Sequence, residues 1–309
     1  MRGAMNSNIP FFSIIIPTNN RPEFLRDAVK SALNQTFRDF EIIVVDDNDR
    51  EKSQYVVEEF KDSRIKYIIN KRTKGAAGAR NCGIFIAKGL WTAFLDDDDI
   101  WYPEKLQIQR NKIQNVKQSV GLIYSGYIIC SFRNSNKQTK IIPEREGWIQ
   151  NELFMENIIG TLSTVCIKTN LLKKIGGLDE RFLANQDLEL FIRVTKNAKV
   201  ACIKKQLVYV RRGHSNRISL DIRKKLSANI LLWEKYEKII NKNRLFRHRA
   251  ASRVFIYAAI SGNLNKMIET IPWTLIGLLV DFENFIWTAR TTISLFYKKR
   301  FSENYKMFL

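Results

Sequence analysis

Four consecutive aspartates, Asp96-Asp97-Asp98-Asp99, are the densest concentration of chemical potential in this 309-residue chain. Adjacent carboxylates repel one another, and a bound cation relieves that repulsion. Hard divalent ions such as Mg²⁺ or Mn²⁺ take oxygen ligands and are commonly held by one or two carboxylates together with substrate phosphates. A second acidic stretch, Asp46-Asp47-Asn48-Asp49, and a polar turn, Pro17-Thr18-Asn19-Asn20-Arg21, complete the set. Together they suit a metal-bridged, phosphate-bearing ligand.

Each of these segments follows an apolar run that reads as a strand buried on both faces: Phe12 to Pro17, Glu41 to Val45 and Trp91 to Leu95. Ile65 to Ile69 is a further strand. Between them lie helical patterns over Pro22 to Asn34, with Pro in the opening turn, over Ser53 to Phe60, and over Ala76 to Lys88. Strand-helix alternation of this kind predicts a parallel sheet covered on both faces, with ligands at the carboxyl ends of its strands. Beyond Pro103 the pattern changes. Helices are expected over Glu104 to Lys117, which Asp99 is expected to introduce, and over Asp187 to Lys196. Strands are expected over Val120 to Phe132, Lys137 to Ile142, Leu162 to Lys168, Val200 to Ile203 and Leu207 to Arg211, and from Ser219 the chain reads as helical and basic.

Composition narrows the class. With 45% hydrophobic and 27% charged residues the chain has the makeup of a globular protein, which excludes disorder, collagen and coiled coil as the dominant state. Its 51 basic and 31 acidic residues leave +20, an attraction to something anionic. A nucleic-acid binder would satisfy that charge, but aspartates clustered at strand ends would repel phosphate without a metal. A nucleotidyltransferase would accommodate the acidic motif and leave the later Asn185-Gln186-Asp187 segment without a role. Two histidines, His214 and His248, argue against a histidine-rich metal site. The four cysteines, Cys82, Cys130, Cys166 and Cys202, show no C-x-x-C spacing and suit a reduced, cytosolic chain. No secretory signal is visible, and Met5 is an alternative start. The apolar stretch Thr270 to Val280 falls short of the roughly 20 residues that a spanning helix needs.

Five ordered motifs carry a family resemblance: SIIIPTNNRPEFL, SALNQTFRDFEIIVVDDND, KGAAGARNCGI, FLDDDDIWYPEKL and GGLDERFLANQDLELFIRV. Over about residues 10 to 215 the chain resembles a family 2 glycosyltransferase of the bacterial surface-polysaccharide type. The resemblance implies an α/β GT-A fold, a mixed Rossmann-like sheet flanked by helices. It divides the chain into a catalytic domain over 1–215 (nucleotide-binding half about 10–100, acceptor half about 101–215) and a basic helical region over 216–309. It also implies roles, position by position. Pro17, Thr18, Asn20 and Arg21 line the nucleotide base, Asp47 accepts a hydrogen bond from uracil beside Asp46, and Lys74 and Arg80 lie near the nucleotide. Asp98 ligates Mn²⁺ or Mg²⁺, with Asp96 and Asp97 supporting the ribose and the surroundings of the metal. His214 approaches the diphosphate in a closing loop. Asp187 is the catalytic base; the family usually has Glu before it, and here that position is Gln186.

The implied chemistry is inverting transfer of a sugar from a nucleotide-sugar, a UDP-sugar by expectation, to a hydroxyl of a saccharide acceptor. The acceptor is expected to be polyprenyl-linked, as in O-antigen or capsule assembly, with the enzyme cytoplasmic and peripheral on the inner membrane face, and with no nucleic-acid partner. The tail fits that location. From Arg211 onward there are 19 basic and 7 acidic residues, so +12 of the +20 lies in the last third. Leu275, Leu278, Leu279, Phe282, Phe285, Ile286, Ala289, Ile293 and Phe296 recur at helical spacing ahead of Lys298-Lys299-Arg300. An amphipathic helix of this pattern adsorbs to an anionic membrane surface or packs on the catalytic domain.

Overall fold

The computed structural model describes residues 9–48, 53–131, 134–212 and 221–280. Every residue of β1 (Phe12–Thr18) is buried, so this strand has to lie inside a sheet and not at its edge. It pairs in parallel with β2 (Phe40–Asp46) on one side and β4 (Trp91–Phe94) on the other. Helix α1 (Pro22–Leu33), with Leu25, Ala28, Val29 and Ala32 buried, connects β1 to β2. Then α2 (Gln54–Glu58), β3 (Ile65–Ile69) and α3 (Ala76–Ile86) complete the alternation, with β3 parallel to β2. Small residues let α3 approach the sheet closely: a Cβ on Gly83 would meet Ile15 Cγ2 at 2.7 Å.

The second half of the sheet departs from parallel pairing. β5 (Asp99–Trp101) leads to α4 (Lys105–Gln114), β6 (Val120–Ser131), β7 (Asn134–Ile141) and α5 (Gln150–Met155). A 3-10 turn over Leu162–Thr164 precedes β8 (Val165–Lys168), α6 (Thr169–Lys174), α7 (Gln186–Asn197) and β9 (Lys199–Arg212). The strand order is β3-β2-β1-β4-β8-β6-β9-β5, with β7 paired to β6. β8 is antiparallel to both β4 and β6, while β6 and β9 run parallel. The sheet is mixed, as the GT-A expectation requires.

Several elements differ from the sequence reading. Asp99 opens a strand and not the following helix, because Asp99–Trp101 pairs antiparallel with Val208–Val210. Leu162–Thr164 forms a 3-10 turn where strand was expected; Thr161 Oγ1 accepts from the Ser163 N–H and Thr164 Oγ1 donates to the Thr161 carbonyl, local bonds that compete with a ladder. The two short strands expected over 200–211 are one strand, β9, whose exposed Lys204 and Lys205 coincide with a register shift against β6. The short helices α5 and α6 carry too few turns to show a period.

The described residues fall into two compact units, one within Met1–Gln150, Asn157–Arg181 and Gln186–Ser215, the other within Asn151–Glu156, Phe182–Asn185 and Asn216–Leu309. The second contains α8 (Ile222–Lys235), α9 (Glu237–Ile240), α10 (Arg244–Ser261) and α11 (Leu264–Val280). Asp221 caps α8, and Asn243 caps α10 by accepting from the Leu245 and Phe246 N–H groups. A small core of Leu226, Val254 and Ala258, packed with Ile230, Trp233 and Met267, holds these helices together. No helix among the described residues is long and apolar enough to cross a membrane. The tail pattern beyond Val280 lies outside the described residues.

One core residue sets a pH dependence. Lys105 is fully buried, its Nζ 2.8 Å from Gln109 Oε1 and 3.9 Å above the Trp101 ring centroid. Burial pushes its ammonium down to about 7 from 10.5. Between those values the unfolded chain binds a proton that the folded chain does not, so stability attributable to Lys105 rises with pH across that window. Burial also pushes the neighbouring Cys166 thiol up to about 12 from 9.0, which acts in the opposite sense above pH 9. Lys105→Met is therefore expected to stabilise the fold by roughly 2 kcal/mol at pH 6.5, the order found when buried charges are replaced by apolar groups. The gain shrinks by pH 9, as urea unfolding at the two pH values would show.

Candidate active site

Parallel pairing of β1 with β4 brings the polar turn and the acidic run to one sheet edge. Thr18, the last residue of β1, donates from Oγ1 to Asp97 Oδ2 at 2.9 Å. Pro17 is buried in the strand, and Asn20 takes a left-handed conformation (φ 54°) that turns the chain ahead of Arg21. Arg21 then spans two carboxylates, 3.2 Å from Asp97 Oδ1 and 3.2 Å from Asp98 Oδ2. Burial pushes the Asp97 carboxyl up to about 7, with Arg21 opposing the rise and Asp98 adding to it.

At the next strand end the two aspartates organise loops. Asp46 is fully buried; its carboxylate accepts from the Asn48 N–H at 3.0 Å, the Ser53 N–H at 3.2 Å and the Tyr67 hydroxyl at 2.8 Å. Asp47 accepts from Asn70 Nδ2 at 2.6 Å and from the Gly75 N–H at 2.8 Å. Lys74 Nζ donates to the Asp47 carbonyl at 3.1 Å. Gly75 has φ 117°, a conformation that glycine adopts without a steric penalty, and this aims its N–H at Asp47 just before α3 begins.

Arg80, on α3, connects the acidic run to α7. Its Nη2 lies 2.5 Å from Asp96 Oδ1, and its Nη1 donates to Gln186 Oε1 at 3.1 Å. Arg80 is buried, so this is no surface ion pair. Next to Gln186, Asp187 accepts from its neighbour's N–H, that of Leu188, at 2.8 Å and from Asn157 Nδ2 at 3.1 Å. Burial pushes the Asp187 carboxyl above the usual range, and Asp96 adds to the rise while Arg80 opposes it. The structure thus brings Asp187, far along the chain, into electrostatic range of the strand-end aspartates.

A buried hydroxyl fixes the acidic run from behind. Ser163 Oγ donates to Asp99 Oδ2 at 2.6 Å and accepts the Asp96 N–H at 3.1 Å, while the Ser163 carbonyl accepts from Trp101 Nε1 at 2.9 Å. Ser163, Asn157 and Asn70 did not stand out in the sequence; each is a common polar residue with no charged or glycine signature. Glu180 is a further anchor. Burial acts against its carboxylate, yet donors from Asn81, Thr73 and Arg72 outweigh burial and hold it down to about 2.

Oxygen atoms of Asp96, Asp98 and Asp99 all lie within 4.8 Å of one another. Carboxylate oxygens so grouped are a donor set suited to a hard divalent cation, which would compete with Arg21 and Arg80 for Asp98 and Asp96. The cluster includes Asp98, the residue for which metal ligation is expected, and also Asp99, for which the sequence pattern predicts the start of a helix. His214 lies outside the described residues.

The chain matches the profile described as "Glycosyl transferase family 2" over residues 13–174. It is 33% identical over 191 residues to the Escherichia coli protein named UDP-Glc:alpha-D-GlcNAc-diphosphoundecaprenol beta-1,3-glucosyltransferase WfgD, covering 62% of this chain and 72% of that one. Its fold resembles S. aureus TarS 1-349 solved in complex with UDP-GlcNAc, with TM-score 0.58, 18% identity, and 84% and 88% of the two chains covered. It also resembles the mannosyltransferase PcManGT from Pyrobaculum calidifontis in complex with GDP-Man and Mn2+, with TM-score 0.54, 14% identity, and 94% and 87% covered. With strand ends, helices and motifs arranged as described and just over half of the sequence matched by the family profile, the chain belongs to glycosyl transferase family 2 and is a glycosyltransferase of the GT-A fold.

Proposed function

We propose that this glycosyltransferase moves a sugar from a UDP-sugar to a hydroxyl of a lipid-linked saccharide, with inversion at the anomeric carbon. The observation that carries the reading is the bridge that Arg80 makes from Asp96 to Gln186, the residue before Asp187, which would set an acceptor-side carboxylate near the strand ends where a nucleotide would lie. The donor class is supported by the WfgD name and by the UDP-GlcNAc held in TarS, and the acceptor class by the GlcNAc-diphosphoundecaprenol of the WfgD name. Residues 1–215 act as the catalytic domain in this reading, and 216–309 as the region that meets the membrane.

The residues divide the work. Pro17, Thr18, Asn20 and Arg21 form one wall of the nucleotide site, and Asp47 with Lys74 the other, on a loop that buried Asp46 holds in shape. Asp97 and Asp96 stand beneath the ribose and diphosphate. Asp98, with Asp96 and Asp99, would hold Mn²⁺ or Mg²⁺, which when bound supplies charge neutralisation for the departing diphosphate. Asn157 and the Leu188 N–H orient the Asp187 carboxylate, and its raised proton affinity suits a base. The acceptor oxygen forms a bond to the anomeric carbon as the bond to the diphosphate oxygen breaks. UDP departs, and the acceptor proton passes to Asp187.

In an assay with UDP-glucose, GlcNAc-diphosphoundecaprenol and Mn²⁺, Asp187→Asn is expected to keep its affinity for UDP and to lose transfer by about 10²–10⁴-fold, the range typical of a positioned base. Near wild-type transfer by a folded variant would assign the base elsewhere. Asp98→Ala is expected to abolish the Mn²⁺ dependence of UDP binding in calorimetry. Asp99→Ala is expected to do the same, given its place in the oxygen cluster. Metal-independent UDP binding of equal strength in wild type and Asp98→Ala would remove the metal from the site.

The location follows from charge and from one exposed stripe. Leu264 and Ile268 of α11 are 67% and 65% exposed, four residues apart, with Ile271 next on the same face. An apolar helical stripe in a strongly basic region suits the interface of an anionic leaflet, where each basic residue contributes about 1 kcal/mol. The full chain is expected to co-sediment with phosphatidylglycerol vesicles at low salt and to be released at high salt. The double substitution Leu264→Asp with Ile268→Asp is expected to weaken binding without unfolding the protein, since both side chains are exposed. Unchanged sedimentation of that variant would place the contact on another surface.

A further inference from the structure

Arg80 serves two elements with one guanidinium. Nη2 meets Asp96 at 2.5 Å, Nη1 meets Gln186 at 3.1 Å, and its buried Nε makes no hydrogen bond. The planar fork of arginine lets its donors point in fixed, divergent directions, which an ammonium cannot match. Its position is thus set by where its two acceptors sit. One acceptor is charged and would by itself draw the cation toward β4. The other, Gln186, is a neutral amide on the first turn of α7, one residue before Asp187.

We propose that Gln186 is a positioning residue: its amide oxygen holds the Arg80 guanidinium between Asp96 and Asp187 without adding charge, so that one cation serves both the strand-end carboxylate and the base. The proposal rests on the reading of Asp187 as the base. Among the described residues, the charged groups that act on Asp187 are Arg80 from α3 and Asp96 after β4, while Asn157 and the Leu188 N–H are neutral donors. A carboxylate in place of Gln186 would gather three acids around a single guanidinium. An apolar side chain of the same length would release Nη1 and let the cation settle on Asp96. In both cases Asp187 loses part of the cation that opposes its protonation.

The test follows the Asp187 carboxyl directly in the full chain, without any acceptor. Protein labelled with [γ-¹³C]aspartate is titrated by NMR, and the Asp187 resonance is identified as the one missing from Asp187→Asn. Gln186→Glu is expected to raise the titration midpoint by about one pH unit, the scale of a neighbouring like charge. Gln186→Met is expected to raise it by about half as much, through displacement of Arg80 alone. A midpoint in folded Gln186→Met that stays at or falls below the wild-type value overturns the proposal. If that variant does not fold, an unshifted Gln186→Glu overturns it. The two readings fail separately. Transfer surviving in Asp187→Asn would sink the base assignment, whereas loss of transfer in Asp187→Asn with unmoved midpoints would sink only the role of Gln186.

Discussion

Four adjacent carboxylates at the end of β4 carry a mutual repulsion that the surrounding structure has to contain, and most of the site is the means of containing it. Arg21 from the turn after β1 takes Asp97 and Asp98, Arg80 from α3 takes Asp96, and Ser163 takes Asp99. Those partners come from three separate parts of the chain, so the acidic run can hold its shape only in the assembled sheet. Burying carboxylates this close together is costly unless donors or cations surround them. That requirement accounts for the basic and hydroxyl residues found at strand ends. It also explains why the burial of Asp97 raises its proton affinity despite the contact with Arg21.

The parallel half of the fold was readable because each strand is a continuous apolar run and each helix has a period. β1, β2, β3 and β4 begin and end close to where the pattern changes. Chemistry at strand ends was readable for the same reason, since the ends of those runs are sharp. The antiparallel half was harder. β9 hides its continuity behind Lys204 and Lys205, and β5 is three residues long, too short to carry an alternation. Asp99 reads as a helix start because an aspartate ahead of a helical pattern resembles a cap, whereas its pairing with Val210 puts it in a strand. Ser163 and Asn157 carry no local signal for a different reason: their hydrogen-bond partners lie 64 and 30 residues away.

The helical unit follows a different logic. Its apolar cluster is small, and several of its large side chains are left on the surface at helical spacing. Its caps are well formed nonetheless, with Asp221 and Asn243 at helix starts and Gly262 in a left-handed conformation at the end of α10. Local order of this kind defines where helices begin and stop, while the apolar stripe of Leu264, Ile268 and Ile271 on α11 stays outside the core.

The bonds of Asn81 reach beyond the site itself. Its side chain accepts from the Leu178 N–H at 2.7 Å and donates to the Leu178 carbonyl at 2.9 Å and to Glu180 at 2.7 Å, with Gly177 so close that a Cβ there would lie 2.3 Å from Asn81 Oδ1. The stretch from Gly177 to Glu180 is therefore clasped to α3, the helix that carries Arg80. Anyone grafting an acceptor-recognition loop from another transferase into this scaffold would have to move that stretch together with α3 as a single cassette. A graft ending between Gly177 and Glu180 would cut the clasp and loosen Arg80 along with the transplanted loop.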